Sequence, residues 1–377
     1  MPGFDDDSDA AGTARASGLT RRALLRYGAT LGAAIPLGGY GGHVLASSLI
    51  RPPTSVSGLA DFPLCLTAAD GTPAASGPLK SIKLAWNASA ICTAAAPVAK
   101  DTGIFARNGL DVEFVNFGGS TEQLLEAIAT GKADAGIGMA LRWLKPLEQG
   151  FDVRITTGVH GGCLRLLGAP SAGTTTLESL KGKTIAIADQ AGPAKNFFSI
   201  LLAEAGIDPF KDVEWRQYPA EVLPLAVEKG EAQALADNDP RTWIFLKDSK
   251  GSLVEVATNL TDKYAERSCC VLAIRGSLIR DDKPTAAALT RAVLEGGHIV
   301  GSDPALAAKS FADYGGKGSI QDLVDMLKSH THHHHPAGAA LKQEIAAYAD
   351  ELKLVKVFRK TTDSAKFADK VYFDVLS

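Results

Sequence analysis

The residues best suited to chemistry in this 377-residue chain are of three kinds. The first grips anions. Arg142, in MALRW, carries a planar guanidinium fork that matches an oxyanion. Ser120 and Thr121 follow Gly118-Gly119 at a helix start, where a hydroxyl caps the helix and can also donate to a ligand. Gln190 and Gly192-Pro193-Ala194-Lys195 lead into another helix, with free N–H groups and Lys195 as donors. The second kind is acidic. Asp237 and Asp239 repel an anion unless Arg241 or Arg142 is paired with them, and otherwise favour an amine or a cation, so the sign of a ligand stays open. The third kind is soft. Five of the eight histidines fall in SHTHHHHPAG, as His330, His332, His333, His334 and His335, while His160 and Cys163 share VHGGC. With Cys92 these last two can form a soft-metal or redox cluster, and Cys269 and Cys270 are adjacent. No cysteine spacing matches a zinc motif, and neighbouring imidazoles cannot all converge on one ion. The cysteines therefore read as buried thiols, and His332, His333, His334 and His335 as a loop with at most a metal-responsive surface site.

These side chains need a frame, and the chain states one twice. From Ser81, SIKLAWNAS reads as a strand and Thr93 to Arg107 as a helix stopped at Asn108-Gly109. LDVEFVNF is a strand, GGSTEQLLEAIATGK a helix with Leu124, Leu125, Ile128 and Ala129 at helical spacing, and ADAGIGM a strand. The order recurs from Lys183 in KTIAIA, PAKNFFSILLAEAG, DVEWRQY, PAEVLPLAVEKGE and AQALAD. Gly109 and Gly131 reappear as Gly206 and Gly230, 97 and 99 positions on. This predicts an α/β fold of two βαβαβ lobes, and ligands of such sheets bind beyond the carboxyl ends of the strands. The expected cleft places Trp86, Asn87, Ser89, Gly119, Ser120, Thr121, Met139, Arg142, His160, Gln190, Gly192, Lys195 and Asp237 as candidate ligand contacts. SCCVLAIRGSLI reads as a strand returning to the first lobe. Leu341, Ile345, Tyr348, Leu352 and Val355 stripe one face of a late helix, so the chain beyond the histidines is folded.

Composition bounds the partners. With 46% hydrophobic and 21% charged residues and a net charge of -3, the chain has no basic field for nucleic acid or an anionic membrane. TRRALLR followed by YGATLGAAIPLGGYGGHVLA reads as a twin-arginine export signal over residues 1–46, and its Pro36 and glycines make it a poor membrane-spanning helix. Residues 47–80 read as a Pro/Ser/Gly-rich linker, 81–176 as the first lobe, 177–268 as the second, and 269–377 as the return to the first with its helices. Five cysteines without a CxxC pair imply no disulfide framework.

In order and spacing, APVAKDTGIFARNGLDVEFVNFGGSTEQLLEAIATGKADAGIG, LKGKTIAIA, AGIDP, AVEKGEAQALADNDP and SCCVLAIRGSLIRDDKPTAAALTRAVLEGG resemble the substrate-binding proteins of ABC importers of the nitrate, sulfonate, taurine and bicarbonate class. The resemblance covers roughly residues 80–377. It implies the two-lobed type II periplasmic-binding fold and a periplasmic receptor, usually monomeric. Such a receptor closes on a small anion or organic solute and passes it to a permease and its ATPase, with no catalytic residue and no cofactor. It also implies that the histidine run lies at the back of the first lobe, away from the cleft. The chain departs from the family at Gly192 to Lys195, where relatives often carry small hydroxyl residues. Paired cysteines also occur in the related thiamine-pyrimidine synthesis family, which gives an enzymatic alternative, and a metal receptor using His and Cys residues is a second alternative.

Overall fold

In the computed structural model, residues 77–332 and 336–377 are described. The predicted export signal, nearly all of the linker, Cys65, and His333, His334 and His335 lie outside them.

Short apolar runs bounded by left-handed glycines set the strands, and amphipathic runs between them set the helices. In chain order the first stretch is β1 (Lys80–Trp86), α1 (Ala95–Asp101), α2 (Ile104–Arg107), β2 (Leu110–Asn116), α3 (Thr121–Ala129), β3 (Ala135–Met139), α4 (Ala140–Glu148) and β4 (Val153–His160). Then come β5 (Leu164–Gly168), β6 (Lys183–Ile187), α5 (Pro193–Glu204), β7 (Val213–Gln217), α6 (Leu223–Glu228), β8 (Ala234–Asn238), α7 (Arg241–Asp248), β9 (Val254–Thr258) and α8 (Asp262–Ala265). The chain ends with β10 (Cys270–Arg275), α9 (Gly276–Asp281), α10 (Lys283–Ser302), α11 (Pro304–Asp313), α12 (Ile320–Ser329), α13 (Gly338–Leu354) and α14 (Ser364–Val371). The single helix expected over Thr93 to Arg107 is divided into α1 and α2, because Gly103 sits at φ 72°, outside helical space.

The strands form two five-stranded sheets, ordered β2-β1-β3-β10-β4 and β7-β6-β8-β5-β9. In each, one strand runs antiparallel to its neighbours: β10 between β3 and β4, and β5 between β8 and β9. This is the α/β two-lobed type II architecture. One expectation needs correcting. β5 falls in the stretch assigned to the first lobe, yet it pairs in the second sheet, so the chain crosses between lobes at residues 161–163 and again between β9 and β10. The glycines at the first crossing are required by space. A Cβ on Gly161 would lie 1.8 Å from Thr331 Oγ1, and one on Gly162 would lie 2.4 Å from the Asn259 carbonyl.

Strands covered on both faces carry almost unbroken apolar runs. Every residue of β3 and of β5 is buried. Trp143 packs its ring where Gly136 leaves room, since a Cβ there would lie 3.0 Å from the indole. On the far side, Trp86 stacks with Phe114, Phe311 and Tyr314, which locks α11 to the first sheet. Of the C-terminal helices, α14 packs on β4 of the first lobe, and α13 lies against α14 and α5 of the second; Leu341, Ile345, Tyr348, Leu352 and Val355 are all buried.

Candidate functional site

A cavity of about 640 Å³ lies between the carboxyl ends of the two sheets. Its first-lobe wall is the turn into α3. Gly118 and Gly119 adopt φ values of 59° and 84°, which turns the chain so that α3 points its N-terminus inward. Ser120 caps that helix, accepting from Gln123 N at 3.3 Å. Arg142, two residues inside α4, is buried beneath the turn and donates to Gly119 O at 2.6 Å and Thr121 Oγ1 at 2.7 Å. Its guanidinium also lies 5.6 Å from the centre of the Phe117 ring.

The second-lobe wall meets this one directly. Asp189, just after β6, accepts from Thr121 Oγ1 at 2.8 Å and Thr121 N at 3.3 Å, and stands 3.5 Å from Arg142. A carboxylate of one lobe thus occupies the N-terminus of a helix of the other, where free N–H groups and the helix dipole favour negative charge. Burial presses the Arg142 guanidinium below its ordinary pKa, with Asp189 and then Asp237 opposing that fall. Asp237 is paired with Arg241 at 2.7 Å on the same wall. The remaining lining includes the apolar Leu125, Ile187, Ala191 and Pro193 and the amides of Gln190, Gln217 and Asn238.

Of the candidate contacts, Gly119, Ser120, Thr121, Arg142, Gln190, Gly192 and Asp237 line this cavity. Gly192 is confined there, because a Cβ would lie 2.9 Å from that of Asp189. Lys195 lines a smaller neighbouring cavity of about 190 Å³ and donates to Gln190 Oε1 at 2.7 Å. Burial lowers its pKa, partly offset by Asp189. Asn87 and Ser89 stand behind the Gly118-Gly119 turn, where Ser89 Oγ donates to Asn87 Oδ1 at 2.8 Å. Trp86 is buried in the aromatic stack, its Nε1 donating to Thr93 O at 3.1 Å, and Met139 is buried at the end of β3. Neither is among the lining residues. Asp189 is not among the contacts expected from the sequence, because its position on α3, 68 residues away in sequence, carries no local signal.

His160 belongs to a different cluster, where both crossings and the histidine run meet. The expectation that the run lies peripherally, at the back of the first lobe, is overturned for its first members. His330 is buried, and its Nε2 is 2.8 Å from Asp239 Oδ2 in the second lobe. Its ring lies 5.1 Å from that of His160, and His332 lies 5.2 Å from His160 on another side. Asp239, fully buried, also accepts from Arg165 Nε at 3.0 Å, Thr242 Oγ1 at 2.6 Å and Trp243 N at 3.0 Å. It is a junction between lobes, outside the cavity lining. Burial raises its pKa, but His330, Arg165 and Thr242 outweigh burial and hold the carboxyl below its ordinary value. Cys92, Cys163, Cys269 and Cys270 are buried beside this junction, all as free thiols. Hydrogen bonds from Cys163 and Cys270, against burial, lower the Cys92 pKa to about 6. Among the described residues no group of three or more His, Cys, Asp or Glu side chains is arranged to hold a metal ion. No described helix is long and apolar enough to cross a membrane.

Comparison with known proteins places this geometry. The alkanesulfonate-binding protein SsuA from Xanthomonas axonopodis pv. citri, in a structure bound to MOPS, superimposes with a TM-score of 0.64 at 19% identity, covering 78% of this chain and 99% of its own. The periplasmic nitrate-binding protein NrtA from Synechocystis PCC 6803 gives 0.65 at 15% identity, covering 78% and 86%. The zinc-bound ligand-binding component of an ABC-type import system from Staphylococcus aureus gives 0.64 at 15%, covering 78% and 97%. Identities this low establish the shared fold. No curated protein matches the sequence significantly. The sequence profile described as NMT1/THI5 like matches residues 93–307, more than half of the chain, and the chain belongs to the NMT1/THI5-like family.

Proposed function

We propose that the chain is the solute receptor of an ABC importer, exported by the twin-arginine route to work outside the cytoplasm, and that its solute is a small organic zwitterion of the aminosulfonate or amino-acid kind. The fold and the likeness to SsuA, NrtA and the Staphylococcus aureus import component support the receptor role. The solute class rests on one observation: both arginines of the cavity already face carboxylates, Arg142 with Asp189 and Arg241 with Asp237. A cavity so neutralised has no unopposed positive field to hold a bare inorganic anion. A zwitterion exchanges both halves at once. Its anionic group takes the α3 N-terminus and Arg142, and its ammonium takes the released Asp189 carboxylate. A volume of about 640 Å³ suits an organic molecule rather than nitrate alone.

Thermal shift and calorimetric titration with taurine, an α-amino acid panel, ethanesulfonate and nitrate test this. The expected result is saturable stabilisation by a zwitterion and none by nitrate or ethanesulfonate at the same concentration. Tighter binding of a simple anion overturns the solute class, and no response to any small solute counts against the receptor role.

A further inference from the structure

The two crossings that join the lobes each carry a cysteine. Cys163 precedes β5 on the first, Cys269 precedes β10 on the second, and their sulfurs are 3.9 Å apart although 106 residues separate them in sequence. We propose that Cys163 and Cys269 are a redox modification site, a dithiol that a low-molecular-weight disulfide converts to an intrachain disulfide tying the two crossings together at the pivot between the lobes.

The surrounding contacts hold both residues for this step. Cys163 N donates to Asn259 Oδ1 at 2.8 Å, and Asn259 belongs to the second crossing. Cys269 N donates to His160 O at 2.9 Å, at the edge of the first. Each crossing is therefore anchored to the other by a hydrogen bond beside each sulfur. The sulfurs, already in contact at 3.9 Å, close to a bond of about 2.05 Å in the disulfide. The protons are also arranged. The hydrogen bond from Cys163 leads the causes holding the Cys269 thiol well below its ordinary range, and the same bond holds Cys163 well above. Cys269, 5% exposed against 0% for Cys163, is the thiol an external disulfide reaches first and is the attacking group.

The chemistry balances as thiol–disulfide exchange. The Cys269 thiolate attacks one sulfur of the external disulfide, forming a mixed disulfide and releasing the first thiolate. Cys163, giving up its proton, attacks the Cys269 sulfur of that mixed disulfide and releases the second thiolate. The protein loses two electrons and two protons, and the external disulfide becomes two thiols. The inference is independent of which solute fills the cavity, and it places the new bond behind the cleft, not in it.

The test uses the full chain carrying Cys65→Ser, incubated with oxidised glutathione, alkylated, and mapped by mass spectrometry without reduction. Expected is a loss of two hydrogens, with the peptide of Cys163 joined to that of Cys269 and iodoacetamide on Cys92 and Cys270. Hydrogen exchange across residues 161–164 and 259–270 should slow at least tenfold on oxidation and recover with dithiothreitol. Cys92→Ser should keep the cross-link, and Cys269→Ser should lose it. A cross-link through Cys92 or Cys270 instead, glutathione retained as a mixed disulfide, or four free thiols under conditions that fully oxidise dithiothreitol would each overturn the proposal. So would a Cys163–Cys269 bond that leaves exchange at both crossings unchanged.

Discussion

Replacing Asp239 with asparagine is the sharpest test of how the lobes are held. The change keeps the size of the side chain and removes one charge from a fully buried site. The carboxylate receives four groups: Thr242 Oγ1 and Trp243 N on one oxygen, His330 Nε2 on the other, and Arg165 Nε on both. An asparagine oxygen can serve the first pair, but its NH2 then faces the Arg165 donor. Arg165 keeps Glu255 as an ion-pair partner, so the guanidinium is not wholly stranded. Removing one partner of a buried ion pair costs about 3–5 kcal/mol, and retention of Glu255 sets the expectation at the lower end, about 3 kcal/mol. At about 1.6 °C per kcal/mol for a fold of roughly 300 residues, the melting temperature should fall by about 5 °C. Circular dichroism melts at neutral pH read this directly. The pH dependence gives a second handle. Because the folded-state pKa of Asp239 is depressed, its contribution is fully present above the unfolded carboxylate range and is lost as pH falls through the folded value. The gap between wild type and variant should therefore close as pH falls below about 4. A variant melting within 1 °C of wild type, with the same acid limb, would refute the claim that this charge pins the lobes.

Three further outcomes follow from single contacts. Trp86→Ala should cost about 3–5 kcal/mol in denaturant titration while leaving solute affinity unchanged, because the indole packs on Phe114, Phe311 and Tyr314 away from the cavity; a selective loss of affinity would put it at the ligand. Ser120→Ala removes the α3 cap and should lower stability by about 1 kcal/mol, read from the urea midpoint at constant slope. Gly162→Ala places a methyl against the Asn259 carbonyl and should destabilise by at least about 1–3 kcal/mol; an unchanged melting temperature would mean the crossing is looser than described.

The repeat was legible because each strand–helix pair is a local pattern: KTIAIA and ADAGIGM are apolar runs ended by turns, and their helices carry their own periodicity. The cavity followed from that pattern, which is why Arg142, Thr121 and Asp237 could be named from spacing alone. LRLLG was not separable as β5, since only Gly161, Gly162 and Cys163 divide it from β4 and nothing local says that a strand changes sheets. The Asp189 bridge and the burial of His330 depend on partners 68 and 91 residues away, and the resemblance put the histidine run at the back of the first lobe because nothing local reveals the buried carboxylate that His330 meets. Cys92, Cys163, Cys269 and Cys270 are the buried thiols expected of them, Cys65 lying outside the described residues; that these four share one place required the crossings to be known.

The interior position of β10 has a consequence for synthesis. The first sheet needs residues 270–275 between β3 and β4, so a growing chain holds two unjoined edges, with every backbone donor and acceptor on them unmatched, until the strand more than a hundred residues after β4 leaves the ribosome. The second sheet, whose strands all precede that point, can be complete first. The half of the molecule that begins at the amino end is therefore the half that finishes last, and the nascent edges of β3 and β4 are where a chaperone would have the longest time to act.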